Sequence, residues 1–210
     1  MNNHWNRVIY KWWSPIYDRF FNTGAFLRAR KDVFQNIPFE KGQCVLFVGI
    51  GTGADLALVN YKDLTITAID YSPDMLRQAK SKFEHTEITF IEMDAQHLLF
   101  DDGTFDVVVA SLILSVVPNA EQCFSEMKRV LKPNGHLLIF DKFSDEKVSL
   151  GKRLLRPAIR LLGTDIGLSF REIFDRHRQD FRIVEDRPVM MNGMYRKIML
   201  LKEVSKFVHM

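Results

Sequence analysis

The run Cys44-Val45-Leu46-Phe47-Val48-Gly49-Ile50-Gly51-Thr52-Gly53-Ala54 opens as an uninterrupted apolar segment and closes as a glycine loop. Its apolar half has the pattern of a short strand buried on both faces of a sheet. Its polar half places three glycines within five residues, so the backbone can turn tightly and approach a ligand with no Cβ between them. A short helix is expected behind the loop, at residues 54–59. Outward from this unit the alternation recurs. Thr65–Ile69 reads as a second strand ending at Asp70, and Ser72-Pro73-Asp74 then supplies an N-cap, a first-turn proline and an acid for the helix dipole. The helix that follows carries Met75/Leu76, Ala79 and Phe83 on one face.

Ile88–Ile91 reads as a third strand ending near Asp94, and the Asp101-Asp102-Gly103 turn leads into a fourth, Phe105–Ala110. Asn119 and Gln122 open a helix with Ala120, Phe124, Met127 and Leu131 inward. Lys132-Pro133-Asn134-Gly135 is expected to end it, with His136–Phe140 as the fifth strand. Phe181–Met191 and Met194–Lys202 are strand-like runs joined by Asn192-Gly193, a strong hairpin signal. Strands alternating with helices, then a hairpin, predict an α/β fold: a doubly wound, mostly parallel seven-stranded sheet ending in an antiparallel hairpin. A single domain is expected. It divides into an N-terminal helical lid (1–36), a cofactor-binding core (43–143), a helical insertion (144–178) and the terminal hairpin (181–203).

The 210 residues are 47% hydrophobic and 26% charged, which excludes disordered and low-complexity classes and suffices for one large core. Two cysteines, Cys44 and Cys123, are too few for a disulfide framework and read as reduced core thiols. No run of about 18 apolar residues predicts a membrane span, and no signal-peptide pattern opens the chain, so a cytoplasmic protein is expected. The net charge of +3 hides three blocks: +5 over residues 1–31, −8 over 32–141 and +6 over 142–210. The acidic middle argues against a nucleic-acid-binding core, while the basic flanks suit an anionic surface.

Asp70 lies 21 positions after Gly49, at the end of the next strand, where a carboxylate can accept from both hydroxyls of a ribose. The loop also satisfies the dinucleotide pattern G-x-G-x-x-G/A, with Ala54 as its last member, so a nicotinamide- or flavin-dependent oxidoreductase competes for the same residues. Against it stand the compact G-x-G-x-G form, a second acid (Asp94) suited to an adenine amino group, and the terminal hairpin. Together these favour a ligand with adenosine and no phosphates.

The segments VLFVGIGTGADL (45–56), ITAIDYSPDML (66–76), FIEMDAQHLLFDDGTFDVVVA (90–110) and EMKRVLKPNGHLLIFD (126–141) resemble class I S-adenosylmethionine-dependent methyltransferases of the ubiquinone/menaquinone-biosynthesis and phospholipid N-methyltransferase type. The resemblance covers roughly residues 43–143 well and the flanks loosely. It implies S-adenosylmethionine as cofactor, with Gly49, Gly51 and Gly53 along the methionine and ribose and Asp70 on the ribose hydroxyls. It further implies Tyr71 and Met75 beside the adenine, Asp94, Ala95 and Gln96 at the adenine edge, and Ser111 near the sulfonium. Tyr17, and less directly Tyr10, would close over the cofactor. The chain departs from the family at Phe47, where an acid that orients the methionine amine is common. That departure motivates a third reading, a cofactor-binding domain without turnover.

The chain after the fourth strand, Ala110-Ser111-Leu112-Ile113, lacks the Asn/Asp-Pro-Pro-aromatic cluster of amino-directed nucleic-acid methyltransferases, so no nucleic-acid substrate is expected. Ser115-Val116-Val117-Pro118 is similar to the phospholipid N-methyltransferase branch. The expected substrate is therefore a small molecule or a lipid head group, including a phospholipid amine. His4, His97, His136 and His177 qualify as bases by residue type alone, and no catalytic base or metal site is assigned. Trp5, Trp12 and Trp13 beside Arg7 and Lys11, and the basic run 152–162, are candidates both for a lid and for peripheral contact with anionic lipid.

Overall fold

A computed structural model describes residues 23–35, 37–144 and 167–204. Helix α1 (Gly24–Phe34) precedes strand β1 (Cys44–Val48), a single 3-10 turn (Leu56–Leu58), β2 (Thr65–Asp70), α2 (Pro73–Lys82), β3 (Thr89–Glu92) and β4 (Phe105–Ser111). Then come α3 (Ala120–Val130), β5 (Leu131–Lys142), α4 (Phe170–His177), β6 (Phe181–Met190) and β7 (Tyr195–Lys202). The seven strands form one sheet in the order β3-β2-β1-β4-β5-β7-β6. The first five are parallel and β7 runs antiparallel to both β5 and β6. This is the expected architecture, and its strand order reverses between β1 and β4.

Alternation along the buried strands feeds two cores. Leu46, Val48, Val108, Ala110, Leu137 and Ile139 point to one face, where α3 covers them with Cys123, Phe124, Met127 and Val130 and α4 adds Phe170 and Ile173. Val45, Phe47, Val107, Val109, Leu138 and Phe140 point to the other, under Phe26, Ala29, Val33 and Phe34 of α1 and Leu76 of α2. Burying each such side chain stabilises the fold by about 1.5–3 kcal/mol, before conformational entropy is set against it. Helix starts are fixed by side-chain caps: Ser72 Oγ accepts from Met75 N–H, Asn119 Oδ1 from Gln122 N–H, and Ser169 Oγ from Glu172 N–H.

Two local expectations are corrected. The helix expected at 54–59 is the three-residue 3-10 turn. Lys132–Gly135 does end α3, at Val130, but these residues lie within β5 rather than before it. Leu131 already pairs with Phe105, and the register then jumps to His136 opposite Val107, so the tetrapeptide is a bulge in the ladder. Asn134 holds a left-handed φ of 61°, and a Cβ on Gly135 would lie 2.8 Å from the Asp106 carbonyl, which is why the bulge needs that sequence. At the other end of the sheet, Asn192 and Gly193 have φ of 52° and 86°, and Met194 N–H donates to Met191 O at 3.0 Å, closing the hairpin. β6 is an outer edge whose pairing with β7 breaks register twice, between Ile183 and Glu185 and between Pro188 and Met190.

Candidate functional site

In an open parallel sheet the crevice forms at the carboxyl ends of the strands where the order reverses. Here that point lies between β1 and β4, and the glycine loop after β1 and Ser111 at the end of β4 flank it. The loop folds back on β2: Gly49 and Ile50 N–H groups both donate to Ile69 O, at 3.0 and 2.9 Å. Gly49, Gly51 and Gly53 all have left-handed φ, of 71°, 56° and 78°. Their surroundings differ. A Cβ on Gly49 would stand 2.7 Å from Ile113 Cδ1, and one on Gly53 would stand 2.8 Å from the Phe83 ring, whereas at Gly51 no atom lies within 4 Å. Gly49 and Gly53 thus permit close packing, and Gly51 borders open space.

Asp70 braces the loop. Its Oδ2 accepts from Gly51 N–H and its Oδ1 from Ser72 N–H, each at 2.8 Å. Burial pushes this carboxyl above the usual carboxylate range, opposed by the N–H donors of Ser72, Gly51 and Tyr71. Tyr71, next in the chain, is 39% exposed, and Met75 one turn into α2 is buried. On the neighbouring strand end, Asp94 Oδ1 accepts from both the backbone N–H (2.9 Å) and Nε2 (3.0 Å) of Gln96, whose Oε1 accepts from Asn119 N–H at 2.9 Å. Ala95 is buried between them. This loop is anchored from α3, where Glu126 accepts from Leu98 N–H and Arg129 donates to the carbonyls of Leu98 and Phe100.

The segment after β4 arches over the end of β5. Leu112, at a left-handed φ of 53°, donates its N–H to Phe140 O at 2.7 Å, and Ser115 N–H donates to Asp141 Oδ2 at 3.1 Å. Ile113, between those ties, is the residue packed on Gly49. Ser111 Oγ is buried with no hydrogen-bond partner among the described residues. Asp141 is 0% exposed, accepts also from Lys142 N–H at 2.8 Å, and is pushed above the usual range by burial.

The predicted site residues Gly49, Gly51, Gly53, Asp70, Tyr71, Asp94, Ala95, Gln96 and Ser111 therefore gather at one edge of the sheet, with Met75 in the first turn of α2 behind it. Tyr17 lies outside the described residues, as do the tryptophan-rich segment and residues 152–162. Of the histidines, His97 is exposed, and buried His177 contacts Glu121 through Nε2 at 2.8 Å. Sequence reasoning missed Asp141, which reads as an ordinary strand-terminal residue, and the pair in which Arg30 Nε donates to Asp55 Oδ1 at 2.5 Å. That pair spans 25 residues and carries no periodic signal; an acid just behind the glycine loop was its one visible trace. No group of three or more metal-ligating side chains occurs among the described residues.

A reversed strand order, a bent glycine loop, acids at two adjacent strand ends and an added antiparallel hairpin define an α/β domain of the doubly wound class. Comparison with known proteins makes the class specific. Residues 46–139 match the methyltransferase domain family. The phosphatidylethanolamine N-methyltransferase of Cereibacter sphaeroides is 34% identical over 193 residues, covering 89% of this chain and 92% of that one. The demethylmenaquinone methyltransferase of Listeria welshimeri is 33% identical over 138 residues, covering 61% of this chain and 58% of that one. Among solved structures, a chain from the complex of a Haloferax volcanii methyltransferase activator with a candidate methyltransferase superposes with a TM-score of 0.76 at 16% identity, covering 97% of this chain and all of that one. A methyltransferase from Methanosarcina mazei does so at 0.63 and 18% identity, covering 79% and 95%. These two show the fold alone. The chain belongs to the S-adenosylmethionine-dependent methyltransferases of this family.

Proposed function

We propose that the crevice between β1 and β4 holds S-adenosylmethionine and that this chain methylates the amine of a phospholipid head group. The observation that carries the substrate class is the extent of the match to the phosphatidylethanolamine N-methyltransferase. At 89% of the chain it takes in segments on both sides of the cofactor core, where acceptor pockets of this fold are built, whereas the quinone-directed relative stops at 61%.

The residues present fit the cofactor. A Cβ on Gly51 would meet no atom within 4 Å, so the loop leaves open space there, and Ser111 Oγ is a buried hydroxyl with no partner among the described residues. In this reading Gly49, Gly51 and Gly53 present backbone to the methionine and ribose, and Asp70 takes the ribose hydroxyls with the lone pairs that Gly51 and Ser72 leave over. Tyr71 and Met75 flank the adenine, Asp94, Ala95 and Gln96 meet its edge, Ser111 faces the sulfonium end, and Tyr17 closes over the whole. The cofactor supplies a methyl group already activated on a positively charged sulfur. The chain's own task is to hold the acceptor nitrogen in line with it and to keep water out. An amine that arrives deprotonated needs no general base from the protein. The basic-aromatic N-terminus and the basic run 152–162 bring the chain to anionic lipid.

Calorimetric titration with S-adenosylhomocysteine, run beside NADH, tests the cofactor. Micromolar binding of the first is expected, weakened about ten- to a hundredfold in Asp70→Ala. Binding of NADH with silence toward the thioether overturns it. Methyl transfer to phosphatidylethanolamine vesicles, measured against a demethylated quinol, tests the acceptor, and product from the quinol alone refutes the lipid assignment. Co-sedimentation with anionic vesicles at low salt tests the membrane contact, which fails if the protein stays in the supernatant.

A further inference from the structure

Position 47 is where the resembling family commonly places an acid for the cofactor's amine. Phe47 is 2% exposed in this chain and packs into the core beneath α1, so it offers no acceptor. A protonated amine brought into a half-enclosed crevice still needs an anion or several carbonyls. Across the glycine loop and the 3-10 turn, residues 49–58, Asp55 is the one ionisable side chain. It stands two residues past Gly53 and is 16% exposed, paired through Oδ1 with the 4% exposed side chain of Arg30. Arg30 is carried on α1, whose Ala29 and Val33 are buried in the same core as Phe47. Asp55 Oδ2 has no hydrogen-bond partner among the described residues. One carboxylate oxygen is thus fixed by an enclosed guanidinium and the other is left for a donor.

We propose that Asp55, held by Arg30, takes the ammonium of the cofactor's amino-acid end in place of the acid absent at position 47. The assignment rests on the cofactor reading above and adds to it a residue that the glycine motif does not contain. Arg30 is a positioning residue: it sets the carboxylate rotamer and ties α1 to the loop. The competing explanation is that the pair only bolts α1 down. In that case its loss would affect every ligand alike.

Titration of the full chain with S-adenosylhomocysteine and with its analogue bearing hydrogen in place of the α-amino group separates the two. The wild type is expected to bind the amine-bearing ligand about ten- to a hundredfold more tightly than the analogue. Asp55→Asn is expected to erase that preference by weakening the first and leaving the analogue unchanged. Equal weakening of both ligands, weakening of neither, or no preference in the wild type overturns the proposal. Should Asp55→Asn fail to fold, Arg30→Lys carries the test. It keeps the positive charge but loses the guanidinium fork, so part of the amine preference should go while the analogue holds. A wild type that binds neither ligand refutes the cofactor reading itself. One that binds the amine-bearing ligand, with Asp55→Asn indifferent, refutes only the role of Asp55.

Discussion

At the carboxyl edge of the parallel strands, Asp70 and Asp141 spend their oxygens on neighbouring backbone N–H groups, Asp141 with the Ser115 hydroxyl besides. On the terminal hairpin the carboxylates are taken up by other side chains: Glu185 by Arg187 and Lys197, and Asp186 by a bidentate contact from Arg196. Arg187 reaches on to Asp32 of α1. The difference separates two uses of charge. An acid that accepts from backbone holds a loop in one shape and keeps lone pairs for a ligand. An acid matched to cations through both oxygens, as Glu185 and Asp186 are, fastens one element to another and has little left to offer, whereas Asp55 is matched through Oδ1 alone. The hairpin is thus a brace and the parallel edge the surface proposed to bind, although both belong to one sheet.

Substitutions at three positions probe that division, in decreasing order of effect. Asp141→Ala leaves the N–H groups of Ser115 and Lys142 without their acceptor, and chemical denaturation should show a loss of about 2–4 kcal/mol. Asp141→Asn keeps an oxygen and should lose less. Its pH dependence sharpens the point: burial raises the folded carboxyl above the ordinary 3.8, so the native state binds more protons and wild-type stability falls as pH rises from 3.8 through that raised value. The asparagine variant should lack this slope, and an unchanged slope would show that Asp141 does not titrate as its burial requires.

Gly51→Ala is the intermediate case. At φ 56° an L-residue costs about 1–2 kcal/mol, and the new methyl enters the open space beside the loop. Thermal unfolding should shift modestly while calorimetry shows a disproportionate loss of S-adenosylhomocysteine binding. Equal, small changes in both would mean that the ligand does not sit beside Gly51.

Glu185→Gln keeps an oxygen toward the buried Lys197 ammonium while removing its counter-charge, and should cost about 1 kcal/mol and leave ligand binding untouched. Burial alone would raise this carboxyl, but Lys197 and Arg187 outweigh it and hold the group below the ordinary 4.5. Its contribution is therefore complete above pH 4.5 and is lost as pH falls through the depressed value. The deficit of the variant should disappear over that window. A loss of cofactor affinity in Glu185→Gln would break the distinction between brace and binding surface.

Strand identity, the hairpin turn and the gathering of Asp70, Asp94 and the glycine loop were legible because each has a local signature: an apolar run, Asn-Gly, an acid at a strand end. The bulge at Lys132–Gly135 was not. Pro-Asn-Gly reads as a stop, and only pairing with Phe105 shows that Leu131 already belongs to the ladder. Asp141 and the Arg30–Asp55 pair stayed hidden for a related reason. Their partners come from segments distant in the chain, and neither burial to 0% nor a contact across 25 residues leaves a mark in periodicity. Phe47 was visible as a departure, yet its consequence depended on which face of β1 it joins.

The two register breaks in β6 bear on how molecules of this protein meet in a crowded solution. An outer strand with free backbone groups and exposed Ile183 and Val184 invites a second chain to add on edge to edge. Here the regular ladder runs only over 181–183 and 185–188 before it is interrupted, and Pro188 contributes no N–H at all. An incoming strand would lose its hydrogen-bond register after three or four residues, too short a stretch to template a fibril.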